Sequence, residues 1–214
     1  MQWVKWIGLI ALMLFCVDSM TAAYACKPDQ NAAFQDDFKK PDPTWQVGGN
    51  IIYYVEGQLA IKPEPKGANW ITPQTFSFKD ATYCLDVKSP SDAALPNLDS
   101  LVQGGLVFWG IDPGNVYIVA ISPVGAYWVY RLTNSSWVTL VSGVKFDKLN
   151  AGPSAVNEIK VAALKNVVTV FFNGERATEF RAQAPKDGGR FGPYAGTSND
   201  RGYEWRFLDL VVTE

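Results

Sequence analysis

The chain has 214 residues, nearly half of them apolar and 14% aromatic, with 19 basic against 21 acidic side chains and a net charge of −2. A balance this close to neutral gives no electrostatic reason to expect a nucleic acid or an anionic membrane surface as partner. There is no histidine, which excludes Ser-His-Asp and Cys-His catalysis and histidine-based zinc sites within the chain. Any hydrolysis would have to run on carboxylates, tyrosine or lysine, or on a hard cation such as calcium held by oxygens.

At the N-terminus, Lys5 precedes an apolar run from Trp6 to Val17, Asp18 interrupts it, and Ala23-Tyr24-Ala25 supplies a small-residue cleavage site. That is the layout of an export signal, and the run is shorter than the about 20 apolar residues a bilayer span takes. Residues 1–25 are therefore expected to be a signal peptide, leaving 26–214 as one periplasmic or extracellular domain with no membrane span. Cleavage removes one cation, Lys5, and one anion, Asp18, so the charge balance is unchanged.

Cys16 leaves with the signal, and an even pair, Cys26 and Cys84, remains for an oxidising compartment. This predicts a disulfide between them. It would close a loop of about 58 residues and stabilise the fold by roughly 4 kcal/mol in the chain-entropy model. Two free thiols are one alternative. A lipid on Cys26 is another, although Ala23-Tyr24-Ala25 lacks the aliphatic residue with which a lipobox starts.

From Phe34 onward, short β-rich runs are broken by Gly, Pro, Asn and Asp at the spacing of an antiparallel sandwich, and long helical periodicity is missing. Ile51 to Val55, the turn Glu56-Gly57 and Leu59 to Ile61 read as a hairpin. Trp70 to Thr72 and Phe76 to Val87 follow, then a loop from Pro90 to Gln103. Four strands come next: Gly105 to Ile111, Val116 to Ile121, Ala126 to Leu132 and Trp137 to Val141, joined by turn chemistry into a meander. Glu158 to Ala163 and Val167 to Phe172 form a further hairpin ended by Asn173-Gly174, and Arg190 to Ala195 and Trp205 to Val212 close the chain. In the last strand Trp205 and Phe207 share one parity while Leu210 and Val212 share the other, which requires a bulge near Leu208-Asp209.

The order of these signals resembles the concanavalin A-like jelly roll in its laminin G-like and bacterial secreted variants. The residues that carry the likeness are Asp36-Asp37-Phe38, Tyr54 to Leu59, Gly104 to Trp109, Asn115-Val116-Tyr117 and Gly125-Ala126-Tyr127. Later come Asn157 to Val161, Phe172-Asn173-Gly174, Gly189 to Gly192 and Phe207 to Leu210. The resemblance spans nearly the whole expected mature chain and implies an all-β, two-sheet antiparallel jelly-roll sandwich. That fold serves lectins, glucanases and adhesion modules alike, so activity must be read from the site. Laminarinase-like glucanases carry Glu-x-Asp-x-x-Glu on one strand, and none of the seven glutamates here has an aspartate two residues on. Secreted proteins like 3-keto-disaccharide hydrolases often place an arginine after the Gly-Leu/Ile-x-Phe strand, where this chain has Trp109.

Aromatics are the abundant chemical resource. A ring exposed on a hollowed sheet stacks on the apolar face of a sugar, whereas the same residues pointing inward are core. By alternation, if Phe108 is core then Trp109 faces out. Arg131 stands within an otherwise apolar strand and must reach water, a carboxylate or a ligand. The expected ligand-binding residues are therefore Trp109, Tyr117, Tyr130, Arg131 and Trp137, with no catalytic residue assigned. No cofactor is expected. Asp112 with Asn115 is the one candidate calcium pair, in what is first of all a turn signature. The expected function is an exported, non-catalytic module that binds a carbohydrate or another extracellular ligand on its concave face. The alternatives are a hydrolase of the 3-keto-disaccharide type, working through carboxylates such as Asp112 or Glu204, and a structural or adhesion module.

Overall fold

The computed structural model describes residues 31–92 and 101–214. The expected export signal, Cys26 and the centre of the loop from Pro90 to Gln103 lie outside the described residues. Within them every regular element is a strand: β1 Phe34–Asp36, β2 Ile52–Val55, β3 Gln58–Ile61, β4 Ala68–Trp70, β5 Ala81–Lys88, β6 Val102–Asp112 and β7 Asn115–Ile121. The remainder are β8 Ala126–Thr133, β9 Ser136–Lys145, β10 Val156–Leu164, β11 Val167–Phe172, β12 Glu175–Arg181, β13 Arg190–Thr197 and β14 Trp205–Thr213.

The strands form two antiparallel sheets. One runs β12-β11-β10-β5-β14-β3-β2, with β1 also paired to β14, and the other runs β4-β13-β6-β7-β8-β9. The turns have the backbone their residues call for: Glu56-Gly57 and Asn134-Ser135 all sit at positive φ, the two-residue hairpin geometry that matches strand twist. The bulge in the last strand is present as well. Pairing steps from Phe207 opposite Val87 to Asp209 opposite Asp86, so Leu208 is the extra residue. Phe207 and Leu210 can then both enter the core.

Alternation packs the inner faces of the two sheets into one core, with Leu85, Ile159, Val170 and Phe207 from the larger sheet against Leu106, Phe108, Val119 and Phe191 from the smaller. A second apolar cluster lies on the outer face of the six-stranded sheet, where Val107, Val116, Ile118, Ala120, Leu132 and Tyr194 are buried beneath Trp70 and Tyr130. A merely solvated face would alternate to polar residues there. This one carries a covered apolar floor, which marks it as more than the back of the core.

Candidate functional site

The five residues singled out in the sequence divide between the two faces of the six-stranded sheet. Tyr130 shares parity with Leu132, and Leu132 pairs with Trp137 on the edge strand β9, so both rings stand on the outer face. Their centroids are 5.5 Å apart, edge to face, and Trp137 is 48% exposed. Tyr117 and Arg131 pair with each other on the opposite face. The Arg131 guanidinium lies 5.4 Å over the Tyr117 ring, which belongs to the inter-sheet core.

Trp109 corrects the alternation argument. Phe108 is core, yet Trp109 does not face out: it is 1% exposed and packs in the same core. The cause is local. Trp109 has φ of +49°, and the β6–β7 register breaks between Phe108 and Asp112, so successive side chains turn to the same side. Its indole N–H donates to the Lys79 carbonyl at 2.9 Å, and its ring meets Tyr117 edge to face. Trp109 therefore packs in the core instead of standing out in a groove.

What the outer face offers instead is a groove of about 520 Å³. Trp70 on β4 and Tyr194 on β13 are cross-strand partners and form one wall. Tyr130, Leu132 and Trp137 form the other. Between them β6 and β7 approach closely at Gly105, where a Cβ would sit 2.8 Å from the Ala120 Cα. Gln103 lies buried on the floor and its amide donates to the Tyr130 hydroxyl at 2.8 Å.

Burial pushes the Tyr130 phenol above its ordinary pKa, against the opposing bond from Gln103, and burial raises Tyr194 likewise. Both hydroxyls stay protonated at neutral pH and keep donor and acceptor capacity. Thr197, Ser198 and Ser135 add further hydroxyls, and the rim cation Lys66 is held at 2.7 Å by Asp200. Among the described lining residues there is no carboxylate. Such a surface suits an uncharged ligand that has an apolar face and a fringe of hydroxyls.

The carboxylates named in the sequence are committed elsewhere. Asp112 accepts from the Gly114 backbone at 2.7 Å and from the Asn115 amide at 3.0 Å, which closes the turn on itself. No group of three or more acidic, Cys or His side chains suited to a metal occurs among the described residues. Glu204 stands by the eight-stranded sheet, bonded to Tyr53 and Arg206, and Arg206 reaches on to Glu56. Burial works to raise the Glu204 carboxyl, but the bonds from Tyr53 and Arg206 outweigh it and hold the group below its usual value. Burial first, and then Glu204, pushes the Tyr53 phenol up to about 12. Asp112 and Glu204 thus serve different sheets and do not meet in one cleft. Asp36 and Asp37 diverge as strand neighbours do: Asp36 accepts from the Trp45 indole at 2.6 Å, while Asp37 pairs with Lys39.

Sequence reasoning missed Trp70, Tyr194 and Gln103. Gln103 fell at the end of an expected loop, and the two aromatics lie 124 positions apart, joined only by the order β4-β13-β6. The alternation Gln103, Gly105, Val107 was the usable signal for Gln103.

No protein-family model matches the chain, and no curated protein matches it. Solved structures do. The carbohydrate binding module CBM66 from Bacillus subtilis aligns at a TM-score of 0.59 with 14% identity, covering 86% of this chain and 98% of the module. The Emp47p carbohydrate recognition domain aligns at 0.62 with 15% identity, covering 88% and 99%. A Bacillus licheniformis beta-glucanase aligns at 0.58 with 10% identity, covering 87% and 100%. At these identities the likeness is one of fold: the chain is a concanavalin A-like jelly roll.

Proposed function

We propose that this protein is an exported, non-catalytic jelly-roll module, residues 26–214, that binds an uncharged carbohydrate in the groove on the outer face of its six-stranded sheet. The observation that carries the reading is the groove itself: Trp70, Tyr130, Trp137 and Tyr194 surround a buried amide and several hydroxyls. Rings stack on the C–H face of a sugar, and the amide and hydroxyls orient its oxygens. That a carbohydrate binding module and a carbohydrate recognition domain share the fold supports it. Hydrolysis would need two carboxyl groups roughly 5 to 9.5 Å apart across the bound sugar. The described lining of the groove supplies neither, which favours binding over turnover.

Calorimetric titration with a panel of neutral oligosaccharides tests the proposal. At least one should bind saturably, Trp137→Ala should abolish that binding, and Gln103→Ala should weaken it roughly tenfold or more by removing an oriented hydrogen bond. Absence of binding across the panel, or binding indifferent to Trp137→Ala, would overturn it.

Export and the Cys26–Cys84 disulfide belong to the same proposal. Cys84 lies on β5 between the inward-facing Tyr83 and Leu85, so its side chain points to the outer face of the larger sheet, where an N-terminal segment could reach it. Mature protein should gain about two mass units and melt earlier on reduction, with a loss of roughly 4 kcal/mol. Alkylation of two thiols without prior reduction would remove the disulfide from the reading.

A further inference from the structure

We propose that a second cavity, at the Asp112–Asn115 end of the six-stranded sheet, binds the charged group of an anionic saccharide unit between Arg131 and Lys186. The cavity measures about 260 Å³ and opens to solvent. Its charged lining residues are two cations, Arg131 on β8 and Lys186 on the loop between β12 and β13. No described carboxylate pairs with either: Arg131 rests on the Tyr117 ring, and Lys186 makes no ion pair. The nearest acid in the hairpin, Asp112, is occupied by Gly114 and Asn115 and lines the neighbouring cavity. Two cations line one hollow whose described lining holds no carboxylate, an arrangement that favours an anion there.

The loop that carries Lys186 is pinned where it turns back to the sheet. Gly189 and Phe78 exchange both backbone hydrogen bonds, at 2.9 and 3.0 Å, and the Gly188 N–H donates to the Pro185 carbonyl. The backbone that carries Lys186 is therefore held in place before a ligand arrives, which reduces the backbone ordering cost of binding. Ile111, Val116 and Pro185 add apolar lining, and Thr133 and Gln183 add polar edges. A carboxylate or sulfate on a body with one apolar face and several hydroxyls matches this set, which is the chemistry of a uronate or a sulfated sugar.

Leu132 lines both this cavity and the groove, so a glycan in the groove could place an acidic unit here. That the ligand is a saccharide rests on the reading of the groove; that the cavity takes an anion does not.

Tetragalacturonate, a dextran sulfate oligosaccharide and a neutral dextran oligosaccharide are titrated against the whole mature protein, its Arg131→Ala and Lys186→Ala variants and its Trp137→Ala variant. One anionic probe at least should bind, and which of the two separates carboxylate from sulfate recognition. Its affinity should fall roughly tenfold or more in each cation variant, and should fall further with added salt as screening grows. Neutral binding should be unchanged in the Lys186→Ala variant. Lys186 makes no ion pair among the described residues, so its variant reads binding with little effect on folding. Neither anionic probe binding, or anionic binding that ignores both cation variants, overturns the anion site even if the neutral probe binds. Anionic binding that needs Arg131 and Lys186 while every neutral sugar fails keeps the anion site and overturns the groove reading.

Discussion

The two sheets turn opposite chemistry outward. At the β2–β14 end of the eight-stranded sheet the charges answer one another: Glu204 holds Tyr53 and Arg206, and Arg206 holds Glu56. On the six-stranded sheet the outward side chains are mostly aromatic, aliphatic or amide, and their capacity is only partly used within the protein. Among the described residues Trp137 keeps about half its surface in water, and Gln103 donates to a phenol that still has acceptor capacity. Polar groups that are already paired have little left for a ligand, whereas exposed ring faces above an apolar floor remain available. That difference is why the proposed groove is placed on the six-stranded sheet.

The largest expected effect separates two tryptophans on that same sheet. Trp109→Ala removes a fully buried ring and leaves the Lys79 carbonyl without its donor, so it should cost about 3–5 kcal/mol of stability. Trp137→Ala removes a half-exposed ring on an edge strand and should cost under about 1 kcal/mol while abolishing sugar binding. Urea unfolding of both variants alongside the titrations decides the point. Comparable stability losses would mean that the inner and outer faces are not as distinct as the burial of these two rings implies.

Those tryptophans also mark how far the sequence could be read. The spacing of turn residues marked the sandwich and the meander, whose strands β6 to β8 are buried on both faces, and period-two alternation marked the bulge at Leu208, because a slip of one residue in β14 would expose its inner side chains. The same rule misplaced Trp109, because a left-handed residue in mid-strand breaks the rule locally. Gly110, next to it, was the available sign of a bulge. β12 went unread because it is a solvated edge strand whose residues, Glu175 to Arg181, carry no strong alternation. Of the groove, Tyr130 and Trp137 were legible as aromatics on successive strands of one hairpin. Trp70 and Tyr194 were not, since a cross-strand neighbour from a distant segment depends on sheet order, which local pattern does not encode.

The smallest expected effect tests the charged face through pH. Glu204 is held below its ordinary 4.5, so its share of stability is present above about that pH and is lost as pH falls through the folded value. Tyr53 has the opposite dependence. Its phenol rises from 10.0 to about 12, so its share is complete below pH 10 and drains away as pH climbs toward 12. Asp36, raised by burial against the bonds from Trp45 and Phe38, follows the Tyr53 sense in acid: its share is complete below pH 3.8 and is lost as pH rises through its folded value. Glu204→Gln should therefore flatten the acid limb of the stability profile, and Tyr53→Phe the alkaline limb, while neutral sugar affinity at pH 7 stays at the wild-type value in both. If either substitution weakened sugar binding, the paired charges of the eight-stranded sheet would be coupled to the groove across the core, and the separation of the two faces would fail.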